Sequence, residues 1–354
     1  MVGADNEGVN VTGPQEIVIH IGPPKTASTT VQRRLAQQRK ELATAGTKII
    51  IEHRDAAIEL IGHDYLQRQR RSSRRAWNAL QGEVASASGN RVIVSNEMFS
   101  WLNQTDAQEM VNALNSNDTR VVIGIRLMEK LVTSFWYEVV IRGGTCTLSE
   151  WIQELRSADG NIGNLEDPSF RFWHLENSAL LAHRWSEVVG RDRVTCVVIS
   201  EKHPGETLRR FDEALGLTTT GAPSVARVEN RSAGYEHLVA LVRFNRKIAR
   251  TAVPKKFRAT LARYAHEQLT SRQDIPYSTP WLSREDRAWC AERQSTTMNE
   301  LSKLGVNVIG DLRDLVAPET ELTVPRPHLE PVNVDAVAIA TRVIRSLVRR
   351  LINS

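Results

Sequence analysis

The sequence predicts an α/β protein: a doubly wound parallel sheet flanked by helices, followed by a mainly helical C-terminal part. Three features carry that expectation. Short runs rich in β-branched residues recur through the N-terminal half of the chain. Helix-like stretches separate them, which is the alternation of βαβ units. The first run passes through glycine and prolines straight into a helix-like segment, the kind of corner at which such sheets hold anions.

The first strand, "EIVIHIG" (Glu16–Gly22), lacks the alternation of a half-exposed strand and reads as buried on both faces. Thr29 to Ala45 reads as a helix, with Val31, Leu35 and Leu42 on one face and Gly46 where a C-terminal cap belongs. Four more strands are expected at "KIIIE" (Lys48–Glu52), "RVIVSNE" (Arg91–Glu97), "RVVIGIR" (Arg120–Arg126) and "RVTCVVISE" (Arg193–Glu201). The fourth strand leads into a helix from Glu129 to Arg142 that stops at Gly143 and Gly144. From Asn230 onward the pattern is helical, with helices expected over Tyr235–Ala252, Lys255–Leu269 and Arg284–Leu304. A proline-containing connector, Ala317–Asn333, precedes a basic amphipathic helix, Val334–Ile352. The expected division is a flexible N-terminus over 1–14, one domain over 15–306, and a linker with its terminal helix over 307–354.

With 354 residues, 41% of them hydrophobic, the chain can build a sizeable core. A net charge of +5 favours anionic ligands without pointing to nucleic acid. Cys146, Cys196 and Cys290 are odd in number and lack CxxC spacing, which argues against a disulfide framework or a zinc site and fits a reducing compartment. Residues 1–15 do not have the basic-then-apolar order of a signal peptide. No uncharged apolar run approaches the roughly 18 residues that a membrane span needs. The expectation is a cytoplasmic protein with no nucleic-acid partner and no metal.

Ligands of open α/β sheets bind beyond the carboxyl ends of the strands, and three of those ends carry suitable groups. In "HIGPPKTASTT" (His20–Thr30), Gly22, Pro23 and Pro24 form a tight turn that opens a helix N-terminus. Unpaired backbone N–H groups and the helix dipole favour an anion there. Lys25 adds a point charge, and Ser28, Thr29 and Thr30 offer hydroxyl donors. A nucleotide loop of the form GxxxxGK[ST] would place a second glycine and then the lysine where this chain has Ala27 and Ser28. The lysine here comes early, toward the strand. Arg126, at the second strand end, can grip a phosphate with two N–H groups, and Ser134 lies about two turns into the next helix. Glu97, at the third, can accept a proton from an acceptor hydroxyl. It can equally be a structural carboxylate paired with Arg126 or Lys25. His20 reads as a core histidine, while His174 and His203 are replacement candidates for the base.

The segment "PPKTASTTVQ" resembles the 5′-phosphosulfate-binding loop of PAPS-dependent sulfotransferases, whose bacterial form is close to PKTGTTxLQ. The resemblance extends through "LAQQRKELATAG", "RVIVSNE" and "VVIGIRLMEKLVTSFWYEVVIRGG" to "ARVENRS" and "STTMNELSKLG", covering roughly residues 15–306. It implies a P-loop-like fold and transfer of a sulfuryl group from PAPS to a hydroxyl or amine. The acceptor class it suggests is a carbohydrate, glycolipid or small metabolite. It further implies that Lys25, Thr26, Ala27, Ser28, Thr29 and Thr30 hold the 5′-phosphosulfate, that Arg126 and Ser134 hold the 3′-phosphate, and that Arg231 also binds the cofactor. Glu97 matches the glutamate base of several carbohydrate-directed members. Ala27 stands where the family's loop usually has glycine, and its methyl calls for a negative φ.

Two alternatives are open: a nucleotide-dependent kinase with a variant loop, against which the absent GK[ST] counts, and a non-catalytic polyanion-binding module. The arginine-rich "LQRQRRSSRRAW" (Leu66–Trp77) would serve an anionic glycan or lipid, or is a solvated helix face. Trp101, Trp136 and Trp173 would stack on an acceptor or pack in the core. The terminal helix suits a peripheral membrane contact or an oligomer contact.

Overall fold

The computed structural model describes residues 16–51, 54–60, 74–87, 89–116, 118–159, 165, 167–217, 234–271 and 278–316. The arginine-rich segment up to residue 73, Arg231, the connector and the terminal helix lie outside the described residues.

In chain order the elements are β1 (Glu16–Gly22), α1 (Ser28–Thr44), β2 (Thr47–Ile50), α2 (Arg54–Leu60), α3 (Arg75–Ala85) and β3 (Arg91–Ser95). A 3₁₀ turn (Glu97–Trp101) follows, then α4 (Gln104–Leu114), β4 (Asp118–Ile125), α5 (Met128–Ile141) and α6 (Leu148–Ala158). The chain continues through α7 (Pro168–Glu176), α8 (Ser178–Val189), β5 (Val194–Val198) and α9 (Pro204–Ala214). It ends with α10 (Tyr235–Ala249), α11 (Lys255–Thr270), α12 (Arg284–Leu304) and β6 (Asn307–Ile309). Two compact units arise from these elements. One comprises residues 16–126, 174–217 and 295–315, and the other 127–173 and 234–294.

The first unit holds a six-stranded sheet of order β2-β3-β1-β4-β5-β6, every pair of it parallel. The predicted fold class is therefore the observed one. Both faces are covered, which is why β1 reads as a continuous apolar run. Ile17, Ile19 and Ile21 face one cluster with Val92, Val94, Val121, Ile123 and Trp185. Val18 faces the other with Ile93, Val122, Val31, Leu35 and Leu42, the last three being the predicted buried face of α1. Each of those three side chains stabilises the fold by about 1.5–3 kcal/mol through burial. Arg34 adds a two-point ion pair to Asp212 of α9, with Nε at 2.7 Å from Oδ1. Chain order matters for function here, because the connections leave β1 toward β2 on one side and pass it toward β4 on the other. The carboxyl ends of β3, β1 and β4 therefore meet at a topological switch point.

Several boundaries differ from expectation. β3 ends at Ser95, so Glu97 opens a 3₁₀ turn instead of closing a strand. Asn96 causes this: its side chain accepts from the N–H of Met98 at 3.0 Å, capping the turn. A sixth strand, β6, pairs with β5 beyond residue 306, where the sequence predicts a linker. Three residues are too short a run to show a periodicity.

Among its described residues, the second unit has helices and no strand. Phe135 stacks on Trp151 at 5.9 Å and meets Phe172 edge-on at 5.5 Å. Trp136 is fully buried and donates its indole N–H to Cys146 O at 3.0 Å, and Trp173 donates to Leu155 O at 2.9 Å. Both are core residues, not stacking platforms. The helices α10, α11 and α12 fall where the sequence predicts them, α12 with the same bounds. Among the described residues, no helix is long and apolar enough to cross a membrane.

Candidate active site

The turn between β1 and α1 is built on two residues in the left-handed region that carry side chains, Lys25 (φ 68°) and Ala27 (φ 63°). Ala27 thus overturns the expectation of a negative φ. It is the N-cap of α1, and its carbonyl accepts from Thr30 N and Val31 N at 2.9 and 3.0 Å. Reversing the chain within so few residues outweighs the cost of the misplaced methyl, roughly 1–2 kcal/mol.

Two hydroxyls close the turn from inside. Thr26 Oγ1 and Ser28 Oγ both donate to the carbonyl of Pro23, at 2.5 and 3.1 Å. A hydroxyl has one proton to give, so Ser28 spends its donor on the turn, whereas the sequence assigned it to an anion. Thr29 is exposed and Thr30 half-buried at the start of the helix. No side chain caps α1, which leaves its N-terminal turn and dipole facing the mouth of the loop.

Close approach explains two glycines. A methyl on Gly22, itself at φ 83°, would lie 3.1 Å from the Cβ of Glu97 and 3.2 Å from Ser28 Oγ. One on Gly124 of β4 would lie 2.7 Å from Thr26 Oγ1. The loop is thereby pressed between the ends of β3 and β4. Arg126, just past β4, donates one N–H to the carbonyl of Lys25 at 2.8 Å. Its Nε and Nη2 hold Glu201, beyond β5, at 2.5 and 3.1 Å.

Glu97 is half-buried on its 3₁₀ turn, and that turn is fastened from several directions. Ser100 Oγ donates to Glu97 O at 2.7 Å, and Arg184 of α8 donates to Ser100 O at 3.0 Å. His174 Nε2 lies 3.1 Å from Trp101 O, and Arg184 Nη1 sits against the same ring, 3.0 Å from Nε2 and 3.2 Å from Nδ1. Burial and the Arg184 charge lower His174 to about 4. It is a neutral brace, not a replacement base. His203 is exposed at the start of α9. His20 is fully buried, bonded to Ser95 Oγ at 2.8 Å and lowered to about 4 by burial, as a core histidine should be.

Glu176, the last residue of α7, is 1% exposed. Burial pushes its carboxyl well above the usual range; Lys25 and Arg126 pull it back, and Glu97 pushes it further up. Lys25, Glu97 and Arg126 therefore act together on one buried group. Sequence reading missed it and also missed the pairing of Glu201. The signal for Glu176 was an acid one residue past Leu175 and four past Phe172, both fully buried positions of that helix. Glu201 stood in plain view as the last letter of "RVTCVVISE".

Ser134 lies half-buried on α5, in the second unit. Among the described residues, no group of three or more His, Cys, Asp or Glu could hold a metal ion. The three cysteines are free thiols.

No protein-family model matches the chain. No curated protein matches it either. Among solved structures it is similar to the crystal structure of a sulfotransferase from Alicyclobacillus acidocaldarius, at 17% identity and a TM-score of 0.43, over 69% of this chain and 99% of that one.

Proposed function

We propose that the chain is a sulfotransferase that takes the sulfuryl group of PAPS to a hydroxyl or amine acceptor. One observation carries the reading: Arg126 from the end of β4 bonds the carbonyl of Lys25 at the end of β1, and Gly22 of the same turn lies so close to Glu97, past the end of β3, that a methyl on it would be 3.1 Å from the Glu97 Cβ. Three strand ends converge on one place, with two cations and a carboxylate in it.

These residues suit a polyanionic nucleotide. The N-terminus of α1 and Lys25 would hold its 5′-phosphate end, and Arg126 a second phosphate. When bound, PAPS supplies the activated sulfuryl group. Lys25 would stabilise negative charge growing on the phosphate oxygen from which that group departs. Glu97 would take the proton of the acceptor hydroxyl, its backbone held in place by Asn96, Ser100, His174 and Arg184. An early lysine fits this task because the bond to be broken lies just past a single 5′-phosphate. The roles that family resemblance gives Ser134 and Arg231 stand as separate proposals, each with its own alanine variant. A glycan, glycolipid or small metabolite is the acceptor class proposed with them.

The test is calorimetry with adenosine 3′,5′-bisphosphate and with ATP, on the wild type, Lys25→Ala and Arg126→Ala. The 3′-phosphorylated nucleotide should bind more tightly than ATP, and each variant should lose about tenfold or more, since charge-assisted bonds contribute roughly 1.5–3 kcal/mol. Equal binding of ATP would favour a kinase. Turnover with labelled PAPS across hydroxyl and amine acceptors would then identify the acceptor.

A further inference from the structure

The hairpin of α10 and α11 has an outer end that neither the fold nor the chemistry above accounts for. Between Arg243 and Arg263 the chain carries eight Lys or Arg and no Asp or Glu. Two of the eight serve the fold: Arg246 pairs with Glu150 of α6, and Arg258 Nε donates to the carbonyl of Val253 at 3.3 Å. Lys247 and Arg250 stand at the C-terminal end of α10, where the helix dipole favours a cation. Lys255 and Lys256 stand on the opposite footing. They open α11, where the dipole disfavours a cation, and that first turn has neither an acid nor a capping side chain. Four exposed cations, Lys247, Arg250, Lys255 and Lys256, thus gather at the end of the hairpin, and two of them weaken their own helix by standing there.

Beside them is an apolar side chain in the wrong place for packing. The buried stripe of α11 is Ala262, Ala265 and Leu269, and its helical spacing runs back to Arg258. Phe257 lies off that stripe and is 51% exposed. The Lys256 ammonium sits 5.1 Å from the centre of its ring. Thr251, Ala252 and Pro254, in the link from α10, are exposed as well. The link is short and held. Thr251 Oγ1 donates to Ile248 O at 2.7 Å, and the N–H of Phe257 donates to Pro254 O at 2.9 Å. The backbone that carries the ring is therefore fixed at the surface.

We propose that this end of the hairpin docks on a bilayer surface rich in anionic lipid, with the four cations on the phosphate headgroups and Phe257 among the acyl chains just beneath. Charge alone would fit any polyanion. The ring decides for a membrane, because a lipid surface has an apolar layer under its negative one and a soluble anionic polymer presents no such layer. The inference does not rest on the sulfotransferase reading, and its test uses no nucleotide.

The full chain is sedimented with vesicles of phosphatidylcholine alone and of phosphatidylcholine mixed with an equal part of phosphatidylglycerol, at low and at high salt. Wild type should bind the mixed vesicles at low salt, ignore the neutral ones, and release as salt screens the headgroups. A lysine at such a surface contributes about fivefold, so joint replacement by Lys255→Ala and Lys256→Ala should weaken binding about 20-fold. Phe257→Ala removes the half of a ring that the bilayer would cover and should weaken binding about three- to tenfold. Taking two cations from the start of a helix should slightly raise thermal stability, so binding lost in that variant is not misfolding.

Wild type that ignores the mixed vesicles, or binds neutral ones equally well, overturns the proposal. So does either variant that binds as tightly as wild type. If only the ring proves dispensable, the site is one for a soluble polyanion. If neither change matters, the binding belongs to another basic part of the chain.

Discussion

Arg126 is shared between two acceptors: the carbonyl of Lys25, at 2.8 Å, and the carboxylate of Glu201, at 2.5 and 3.1 Å. The first bond ties the lysine's turn to the end of β4. The second occupies the fork that a phosphate would need. Both partners of the salt bridge are about one quarter exposed, and pairs in such settings contribute only about 0–1 kcal/mol. Glu201 is thus a weak competitor that an incoming dianion can displace. Replacing it by Gln should tighten binding of adenosine 3′,5′-bisphosphate by up to about fivefold. Titration calorimetry at fixed salt checks this, and weaker binding would mean that Glu201 aims the guanidinium.

Glu97→Gln replaces the proposed proton acceptor with an amide of the same shape, on a turn pinned through main-chain carbonyls. Turnover should fall by about 10²–10⁴-fold, with nucleotide affinity within a few fold of wild type. A rate close to normal would take Glu97 out of the role of base.

Ala27→Gly relieves a methyl at φ 63°. The folded state should gain roughly 1–2 kcal/mol, less about 0.4–1 kcal/mol for the added freedom of the unfolded chain. Urea unfolding should show a net gain near 1 kcal/mol. The opposite change, Gly22→Ala, meets both a positive φ and Cβ of Glu97 at 3.1 Å. It should destabilise the protein and lower turnover together, because the atom that has to move belongs to the proposed base.

Acid should weaken the fold through His20. Burial lowers its ring to about 4, so the native state binds its proton later than the unfolded chain, whose histidines titrate near 6.5. Its contribution is complete above the unfolded value and is lost as the pH falls from about 6.5 toward 4. Between pH 7 and pH 5 the loss from this one residue is about 2 kcal/mol. His174, lowered to about 4 as well, acts in the same sense. The drop in unfolding free energy between those pH values should shrink by about that amount in His20→Gln, whatever the variant's starting stability. An unaltered drop would mean that the ring is not held neutral.

Much of this was legible in the letters of the chain. β1 and the buried face of α1 fall where the patterns place them, because a strand covered on both sides and a helix covered on one each leave a periodic mark. Glu97 was found at the right strand end but assigned to the strand itself. The Asn96 cap that ends β3 is a single-residue event with no period. Ala27 was misjudged for a different reason. Its backbone angle is set by how the whole turn must close against β3 and β4, which no local propensity contains. Glu176 escaped notice because an acid among core residues looks like one surface charge among many until the three strand ends are assembled around it.

Gly124 lends the loop a property that its composition hides. Because β4 has no side chain at that point, Thr26 rests against the sheet, and any substituent there would collide with it at 2.7 Å. A loop so rich in threonine and serine suggests a pliant flap, yet this one is seated like a key in a slot milled into the sheet. A nucleotide would therefore meet a surface already in its final form.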